Sequence, residues 1–141
     1  MVIYCVSCNI QPLICIINKV QVQNISFIGD NAGLATSVVS VLNNRNIRKT
    51  RHLVMLSPWI DLKCSSYSII NNADIDSILT EKQLHFYTSL YIGKVQLSEA
   101  NPKETFFSDF PPTLILVESN EILLDDSKKG YSKIIERQPF T

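Results

Sequence analysis

Glycine is scarce in this sequence: 4 of its 141 residues are glycine, about 3%, whereas soluble domains usually contain roughly 7%. An enzyme that holds a phosphate or an oxyanion with bare backbone usually needs more glycine than this. The length suits one ordinary domain. The glycine content therefore suggests that part of a backbone-built site is missing from an otherwise ordinary chain.

An excess of charge of either sign is also absent. Lysine and arginine number 13, aspartate and glutamate number 13, and the formal net charge is zero. This balance provides no electrostatic surface for nucleic acid or for an anionic membrane, so we expect neither as a partner. Apolar residues make up 45% of the chain and charged residues 18%, which favours a folded domain over disorder.

Residues with metal-ligand chemistry are few and scattered. Cys5 and Cys8 form a single CxxC pair, Cys15 and Cys64 stand apart, and the two histidines, at 52 and 85, are far from each other. A structural zinc site needs two such pairs or a matching histidine pair. We therefore expect reduced thiols, no metal and no cofactor.

The first 17 residues are mostly apolar but lack the features of a targeting segment. They have no positively charged start and no small-residue cleavage site, and polar residues interrupt the run. The run is also shorter than the ~20 residues that span a bilayer. We interpret residues 1–23 as an apolar segment of uncertain structure and 24–141 as the main domain, with the cytoplasm as the default location.

Short apolar runs alternate with helical periodicity along the main domain. The pattern predicts strands at 24–28, 53–56 and 113–117, loops at 59–72 and 93–110, a helix start near Asp74, and helices at 32–43, 81–92 and 123–136, the last weakened by Gly130. This alternation predicts an α/β fold with a parallel sheet. In such a fold residues 29–33, 57–61 and 119–125 follow carboxyl ends of strands, where ligands bind.

The segment Gly29-Asp30-Asn31-Ala32-Gly33 has the form G-x-N-x-G between a predicted strand and a predicted helix. A nucleophile elbow has this shape, and asparagine is one of the few residues that tolerates its strained central position. An ordinary strand-to-helix turn with a capping side chain has the same shape, and the pentapeptide leaves both open. Asn31 cannot act as a serine, because its carboxamide nitrogen is not a usable nucleophile.

Four blocks, in order, resemble the hormone-sensitive-lipase-like branch of the α/β-hydrolases. ISFIGDNAGLA is similar to that branch's GDSAGG elbow with asparagine in place of serine, and LSPWIDL at 56–62 is similar to its SPW-x-DL signature. The region 72–93 resembles its "NAD…D…YLG" region, and PPTLILVESNEILLDDS at 111–127 resembles its PPTLIQVGSDEILLDDS block. The resemblance covers about three quarters of the chain and implies a partial α/β-hydrolase fold with a small, mostly parallel sheet flanked by helices.

The resemblance also implies roles for individual residues. The nucleophile position falls on Asn31, and the backbone N–H of Ala32 falls where one oxyanion donor lies in the family. The acid position of the triad falls on Glu121 in NEILLD; a solvated charge near a helix start is the alternative for this residue. Gly29, Asp30 and Gly33 complete the elbow. Trp59 and Asp61 would lie beside it, as packing and loop-fixing residues first and as a substrate wall second.

Other parts of the family's site have no counterpart. Twenty residues follow Glu121 and none is histidine, there is no Gly-Gly pair for an HGG-type oxyanion loop, and the early strands of the sheet have no match in residues 1–23. His52 is expected at the amino end of its strand and His85 in a packing role on a helix. Glu118 and Leu34 stand where the family has, or often has, glycine.

These features predict a degenerate hydrolase with little or no ester hydrolysis on its own. The alternative is an interaction module that associates with itself or with a complementary fragment through exposed strand edges. An active split esterase, with a small ester as substrate and its other half on a separate chain, is a third hypothesis, which would still have to explain Asn31. The family's mechanism requires no cofactor or metal.

Overall fold

A four-stranded parallel sheet organises the protein. The structure, a computed structural model, describes residues 2–4, 21–30, 50–94, 96–97, 101–104 and 110–137. Strands β1 (Val2–Tyr4), β2 (Ser26–Asp30), β3 (His52–Leu56) and β4 (Thr113–Leu116) lie side by side in that order. Every neighbouring pair is parallel, so the carboxyl ends of all four strands lie at one edge. The α/β fold class predicted from the sequence is confirmed.

The first strand was not predicted. Residues 1–23 contain no motif that resembles an early hydrolase strand, yet Val2–Tyr4 pairs with β2 from Ser26 to Ile28. A three-residue strand inside a longer apolar run carries no alternation that would reveal it. The segment interpreted as apolar and of uncertain structure therefore contributes a short strand to the sheet, while the domain boundary at residue 23 stays a prediction.

The second strand is displaced from its predicted position. It begins at Ser26 and includes Gly29 and Asp30, which pair with Met55 and Leu56 of β3. The prediction that the strand ends before Gly29 is wrong, because ladder pairing with β3 continues for two residues beyond the apolar run. The third and fourth strands agree with the predicted runs to within one residue at each end.

The described part of the chain contains three α-helices: α1 (Tyr67–Asn71), α2 (Glu81–Ile92) and α3 (Leu124–Arg137). The first lies in a segment predicted as loop, since five residues are too few for a periodic signal. The helix start predicted near Asp74 is also wrong: Asp76 Oδ1 accepts from the backbone of Ile78 and Leu79 and forms a turn. Among the described residues no helix is long and apolar enough to cross a membrane.

The start of α2 is fixed by a reciprocal capping box. The backbone N–H of Gln83 donates to Thr80 Oγ1 at 3.3 Å, and the N–H of Thr80 donates to Gln83 Oε1 at 2.9 Å. Such a box satisfies two N–H groups that the first helical turn leaves unpaired. The helix then buries Leu84 and Thr88 and ends before Gly93, whose φ is +52°.

A hydrophobic core cluster lies between the segment after β3 and the start of α3, and further core side chains are buried on β2 and β3. The buried members of this cluster come from the loop, from α1 and α2, and from the turn before α3: Trp59, Leu62, Cys64, Ile69, Leu84, Ile122 and Leu123. Gly130 of α3 faces this layer, and a β-carbon there would lie 3.8 Å from Ile60 Cδ1. Burial of these side chains joins the two segments that follow β3 and β4.

Candidate active site

The predicted elbow begins at the carboxyl edge of β2. Gly29 and Asp30 are the last two residues of that strand, Gly29 buried and Asp30 exposed. Asn31, Ala32 and Gly33, together with the predicted helix at 32–43, lie outside the described residues. The described backbone therefore directs the chain toward the elbow from the edge at which the other two predicted loops begin.

The loop after β3 starts with a sharp change of direction. Ser57 has φ +44°, in the left-handed region, and its N–H donates to the carbonyl oxygen of Leu116 at 2.7 Å. Two residues later the Trp59 indole is buried, and its Nε1–H donates to the carbonyl oxygen of Asp61 at 3.0 Å. Trp59 is thus packed into the protein with its polar atom already paired.

Asp61 is completely buried and has four kinds of donor around its carboxylate. Lys103 Nζ lies 2.8 Å from Oδ2, which also accepts from the Ser65 hydroxyl, while Oδ1 accepts from Asn101 Nδ2 and the Lys63 N–H, each at 3.2 Å. Burial raises the pKa of Asp61, but the Lys103 ammonium and the other donors outweigh it and lower the pKa below its ordinary value. Asp61 is therefore an ionised structural anchor.

Asp126 is a second completely buried carboxylate, in the first turn of α3. Its Oδ2 accepts from the N–H of Ile60 at 3.1 Å and of Asp61 at 2.9 Å, and its Oδ1 accepts from the Ser66 hydroxyl. Burial raises the pKa of Asp126 above its ordinary value, although these three donors oppose the rise. This carboxylate bonds the start of α3 directly to the loop after β3.

Further bonds join α1 and the turn after it to the segment that carries the predicted acid. The Ser68 hydroxyl donates to the Ile122 carbonyl at 2.7 Å, and Asn72 Nδ2 donates to the carbonyl of Glu121 at 2.8 Å. Asp76 Oδ2 accepts from the Ile122 N–H at 2.8 Å, a bond that helps lower the pKa of Asp76 against the effect of burial. The backbone on both sides of Glu121 is thus fixed.

The Glu121 side chain has a different environment from these buried carboxylates. It is half-buried, lies in the turn before α3, and accepts through Oε1 from the N–H of Glu118 at 3.0 Å. That donor belongs to its own turn. The structure therefore brings the loops at 57–61 and 119–125 together and holds Glu121 in a defined turn at their junction.

Both histidines of the chain lie among the described residues. His52 is the first residue of β3, and its exposed Nδ1 lies 3.3 Å from Ser26 Oγ. The length of the strand separates it from the carboxyl edge, a distance of about 13 Å at ~3.3 Å per residue. His85 is exposed on α2 with Nε2 3.5 Å from Glu81 Oε1. Neither imidazole is paired with Glu121.

The cysteine that the structure describes, Cys64, is an unreactive buried thiol. Cys64 is buried with φ +54°, and burial, supported by nearby carboxylates, raises its pKa to about 11. A thiol with so high a pKa is not a thiolate nucleophile at neutral pH. Cys5, Cys8 and Cys15 lie outside the described residues.

Sequence reasoning missed most of this network. Asp126 lies within the helix predicted at 123–136, and nothing in its local pattern pairs it with backbone 65 residues away. Lys103 and Asn101 were assigned to a loop, although both hold Asp61. Two signals could have been used: the acidic pair at 125–126 next to an apolar run, and the uncharged Ser-rich stretch around residue 66.

Comparison with known proteins agrees with this architecture. The model of a family described as having the alpha/beta hydrolase fold matches residues 13–138. An esterase of Acinetobacter venetianus is 30% identical over 124 residues, which are 84% of this chain and 41% of that protein. An acetyl-hydrolase of Streptomyces hygroscopicus is 28% identical over 108 residues, or 74% of this chain and 36% of that one.

Solved structures of similar proteins superpose on most of this chain. A hormone-sensitive lipase from a metagenome library has a TM-score of 0.76 at 30% identity, covering 82% of this chain and 41% of its own. An esterase of the bacterial hormone-sensitive lipase family has a TM-score of 0.80 at 26% identity, covering 86% and 42%. The chain thus spans about two fifths of the length of these relatives.

The ordered loops, the parallel sheet and these matches have one explanation: the chain belongs to the α/β-hydrolase fold family, in its hormone-sensitive-lipase-like branch.

Proposed function

We propose that the 141-residue chain is a hydrolase-family scaffold that does not hydrolyse esters on its own. The observation that carries this proposal is the position of its histidines. His52 is at the amino end of β3 and His85 is on the exposed side of α2, so neither is paired with Glu121. A serine-type esterase needs an imidazole between acid and nucleophile to accept and return the proton.

The residue at the nucleophile position supports the same proposal. Asn31 has no hydroxyl, and its amide nitrogen is delocalised. Loss of a single triad residue can lower kcat about a million-fold. When the base is lost as well, the remaining contributions to catalysis are substrate binding and one backbone donor to the oxyanion, at Ala32.

The acid position supports a retained scaffold. Side chains of Asn72, Ser68 and Asp76 form hydrogen bonds with the backbone around Glu121. These bonds fix the turn that carries the Glu121 carboxylate. The relatives named as an esterase and an acetyl-hydrolase suggest a small carboxylic ester as the substrate class of an active form. The cytoplasmic location stays a prediction.

The test is hydrolysis of p-nitrophenyl butyrate by the purified chain, with the heat-denatured chain as the blank. We expect no turnover above the blank. Turnover that is lost in Glu121→Ala, with unchanged melting, would contradict the proposal. Turnover that survives in Glu121→Ala would identify a contaminating esterase, which an inhibitor of serine esterases and repurification would remove.

A second candidate function is association through a strand edge. It is favoured by β4, whose Leu114 and Leu116 are about half exposed. Exposed apolar edge strands pair readily with another chain.

A further inference from the structure

Residues 118–122, which we call the acid turn, carry Glu121 and bond it in two ways. The Glu121 N–H donates to the Glu118 carbonyl at 3.3 Å, and this bond closes the turn. The Glu121 carboxylate lies across the same turn, where its Oε1 accepts from the Glu118 N–H at 3.0 Å. The position of the carboxylate therefore follows the position of the turn.

Asn72 gives both hydrogens of its side-chain amide to the acid turn. Its Nδ2 donates to the Ser119 carbonyl at 3.0 Å and to the Glu121 carbonyl at 2.8 Å. A carboxamide NH₂ group has two hydrogens, so these two bonds use its full capacity as a donor. One side chain thus holds the two carbonyls that flank Asn120 and fixes the spacing between them.

Asp76 holds the end of the acid turn and the segment before α2 at the same time. Its Oδ2 accepts at 2.8 Å from the N–H of Ile122, a completely buried residue. Its Oδ1 accepts from the N–H of Ile78 at 2.8 Å and of Leu79 at 2.9 Å. Both carboxylate oxygens are bonded to backbone, so Asp76 joins the acid turn to the residues that lead into α2.

The backbone after α1 brings these two side chains together. Asn72 is the C-cap of α1, and its carbonyl accepts from the N–H of Ile75 at 3.1 Å and of Asp76 at 2.9 Å. This single turn places Asn72 and Asp76 four residues apart on one side, as in a helix. Asp74 lies between them and is exposed. The first residues of the region 72–93 therefore differ in what they contact, although all three are polar.

We propose that Asn72 and Asp76 are positioning residues for the acid position, which hold the acid turn so that the Glu121 carboxylate keeps one place without an imidazole bonded to it. This role rests on the proposed function, in which Glu121 stands at the acid position. Both side chains act through the backbone of the turn. In active enzymes such supporting side chains set the geometry of the site, and a misplacement of about 1 Å can cost on the order of a hundredfold in rate.

Amide hydrogen exchange at Ile122 measures the hold of Asp76 on the turn. In Asp76→Ala this N–H loses its acceptor, and we expect exchange at least about tenfold faster than in the original chain. Asp76→Asn keeps an oxygen that can accept and should restore most of the protection. Asp74→Ala is the matched control and should change the rate by less than about twofold. The Ser127 N–H, bonded to the Leu123 carbonyl at 3.0 Å, is the internal reference for global unfolding.

The amide proton resonance of Glu118 reports the position of the Glu121 carboxylate. An anionic acceptor forms a shorter and stronger bond than a neutral one, which moves the bonded proton downfield. Glu121→Gln should therefore move this resonance upfield. Asn72→Ala should move it in the same direction, because the loosened turn no longer keeps the carboxylate on this N–H. A purely structural role of Asn72 would lower the stability of the chain and leave the resonance in place, as we expect for Asp74→Ala.

Two results would overturn the proposal: equal exchange rates of the Ile122 N–H in Asp76→Ala and Asp74→Ala, or a Glu118 resonance that does not move in Asn72→Ala. Circular dichroism shows whether each variant folds. Should Asn72→Ala fail to fold, Asn72→Ser replaces it, since a serine side chain is too short to hold both carbonyls and should move the resonance in the same direction.

Hydrolysis of p-nitrophenyl butyrate is measured on the same samples. Turnover by the original chain would contradict the proposed lack of ester hydrolysis, whereas the exchange rates and the Glu118 resonance decide the role of Asn72 and Asp76. A failure of the proposed function and a failure of the positioning role are therefore separate results.

Discussion

Two sets of carboxylates follow the strands at the carboxyl edge, and they differ in what holds them. Asp61 and Asp126 are completely buried and accept hydrogen bonds from several donors in distant segments. Glu121, at the predicted acid position, is half-buried and accepts from the N–H of Glu118 in its own turn. The first set binds the scaffold together, whereas the second has no imidazole partner to orient.

This difference separates what folding requires from what ester hydrolysis requires. Removing a buried acceptor leaves backbone N–H groups without partners and costs stability. Removing a side chain that makes no buried hydrogen bond usually changes stability by no more than about 0.5 kcal/mol. A hydrolase-family chain can therefore keep the junction between its loops while the catalytic positions change, and substitutions of the buried carboxylates should cost much more stability than a substitution of Glu121.

The largest effect is expected at Asp126. Asp126→Ala leaves the buried N–H groups of Ile60 and Asp61 without their acceptor, and we predict a loss of about 2–5 kcal/mol in the free energy of unfolding. Urea denaturation followed by circular dichroism measures this loss. Asp126→Asn is the control, because its carbonyl oxygen can still accept, and it should cost less than half as much. Equal losses for alanine and asparagine would show that charge, not acceptance, is what matters there.

A smaller and pH-dependent loss is expected at Asp61. Asp61→Asn leaves Lys103 without its carboxylate and should cost about 1–3 kcal/mol at pH 7. The pKa of Asp61 is lowered in the folded protein. Its stabilising contribution is therefore present above the unfolded-state pKa of about 3.9 and is lost as the pH falls below about 4 toward the folded-state pKa.

The pH dependence provides the check on this second prediction. The difference in melting temperature between the original chain and Asp61→Asn should stay the same from about pH 5 to about pH 7. Below about pH 4 this difference should shrink. A difference that grows on acidification would contradict the assigned direction of the pKa shift. Lys63→Ala serves as a control, because the Lys63 side chain is exposed and its backbone N–H, which bonds Asp61, is retained.

Gly130 offers a change that should stabilise the same junction. A β-carbon at this position in α3 would meet Ile60 Cδ1 at 3.8 Å, an ordinary contact distance. Alanine is favoured over glycine inside a helix, so Gly130→Ala should raise the free energy of unfolding by about 0.5–1 kcal/mol. Gly93→Ala is the contrasting variant, since its φ of +52° disfavours a side chain; it should destabilise. A destabilised Gly130→Ala would mean that α3 packs more tightly on Ile60 than this contact allows.

The smallest effect is expected at Glu121. Glu121→Gln keeps an oxygen that can accept from the Glu118 N–H, so its stability should change by no more than about 0.5 kcal/mol. Melting temperatures of Glu121→Gln and Asp126→Asn, measured side by side against the original chain, compare the two losses of stability directly. A larger loss at Glu121 than at Asp126 would remove the distinction between the two sets of carboxylates.

Much of the fold followed from local pattern, whereas the junction did not. Strands β3 and β4 are compact apolar runs ended by polar residues or proline. Helix α2 has apolar residues at helical spacing and a capping box. Each of these elements can therefore be predicted from a short stretch of sequence. Strand β1 and helix α1 are three and five residues long, too short for a period to show. Gly29 looked like a strand end because its pairing with Met55 is not visible in sequence.

The site was predictable in part because its positions follow strand ends. The loops at 57–61 and 119–125 do meet, and the resemblance to the hydrolases supplied the position of Glu121. The partners of Asp61 are Lys103 and Asn101, about forty residues away, and those of Asp126 are further still. A carboxylate's burial depends on such distant donors, so the local pattern predicts a loop-fixing role for Asp61 first and a substrate wall second, but it does not identify the donors that hold the carboxylate.

The rate of p-nitrophenyl butyrate hydrolysis by Asn31→Ser tests whether the chain contains a general base that can activate a hydroxyl. This change restores a hydroxyl at the nucleophile position but supplies no general base. We predict a rate indistinguishable from that of the original chain and of the denatured blank. Turnover by Asn31→Ser that disappears in the double variant with Glu121→Ala would contradict the proposal that the chain does not hydrolyse esters on its own, because such turnover requires a general base.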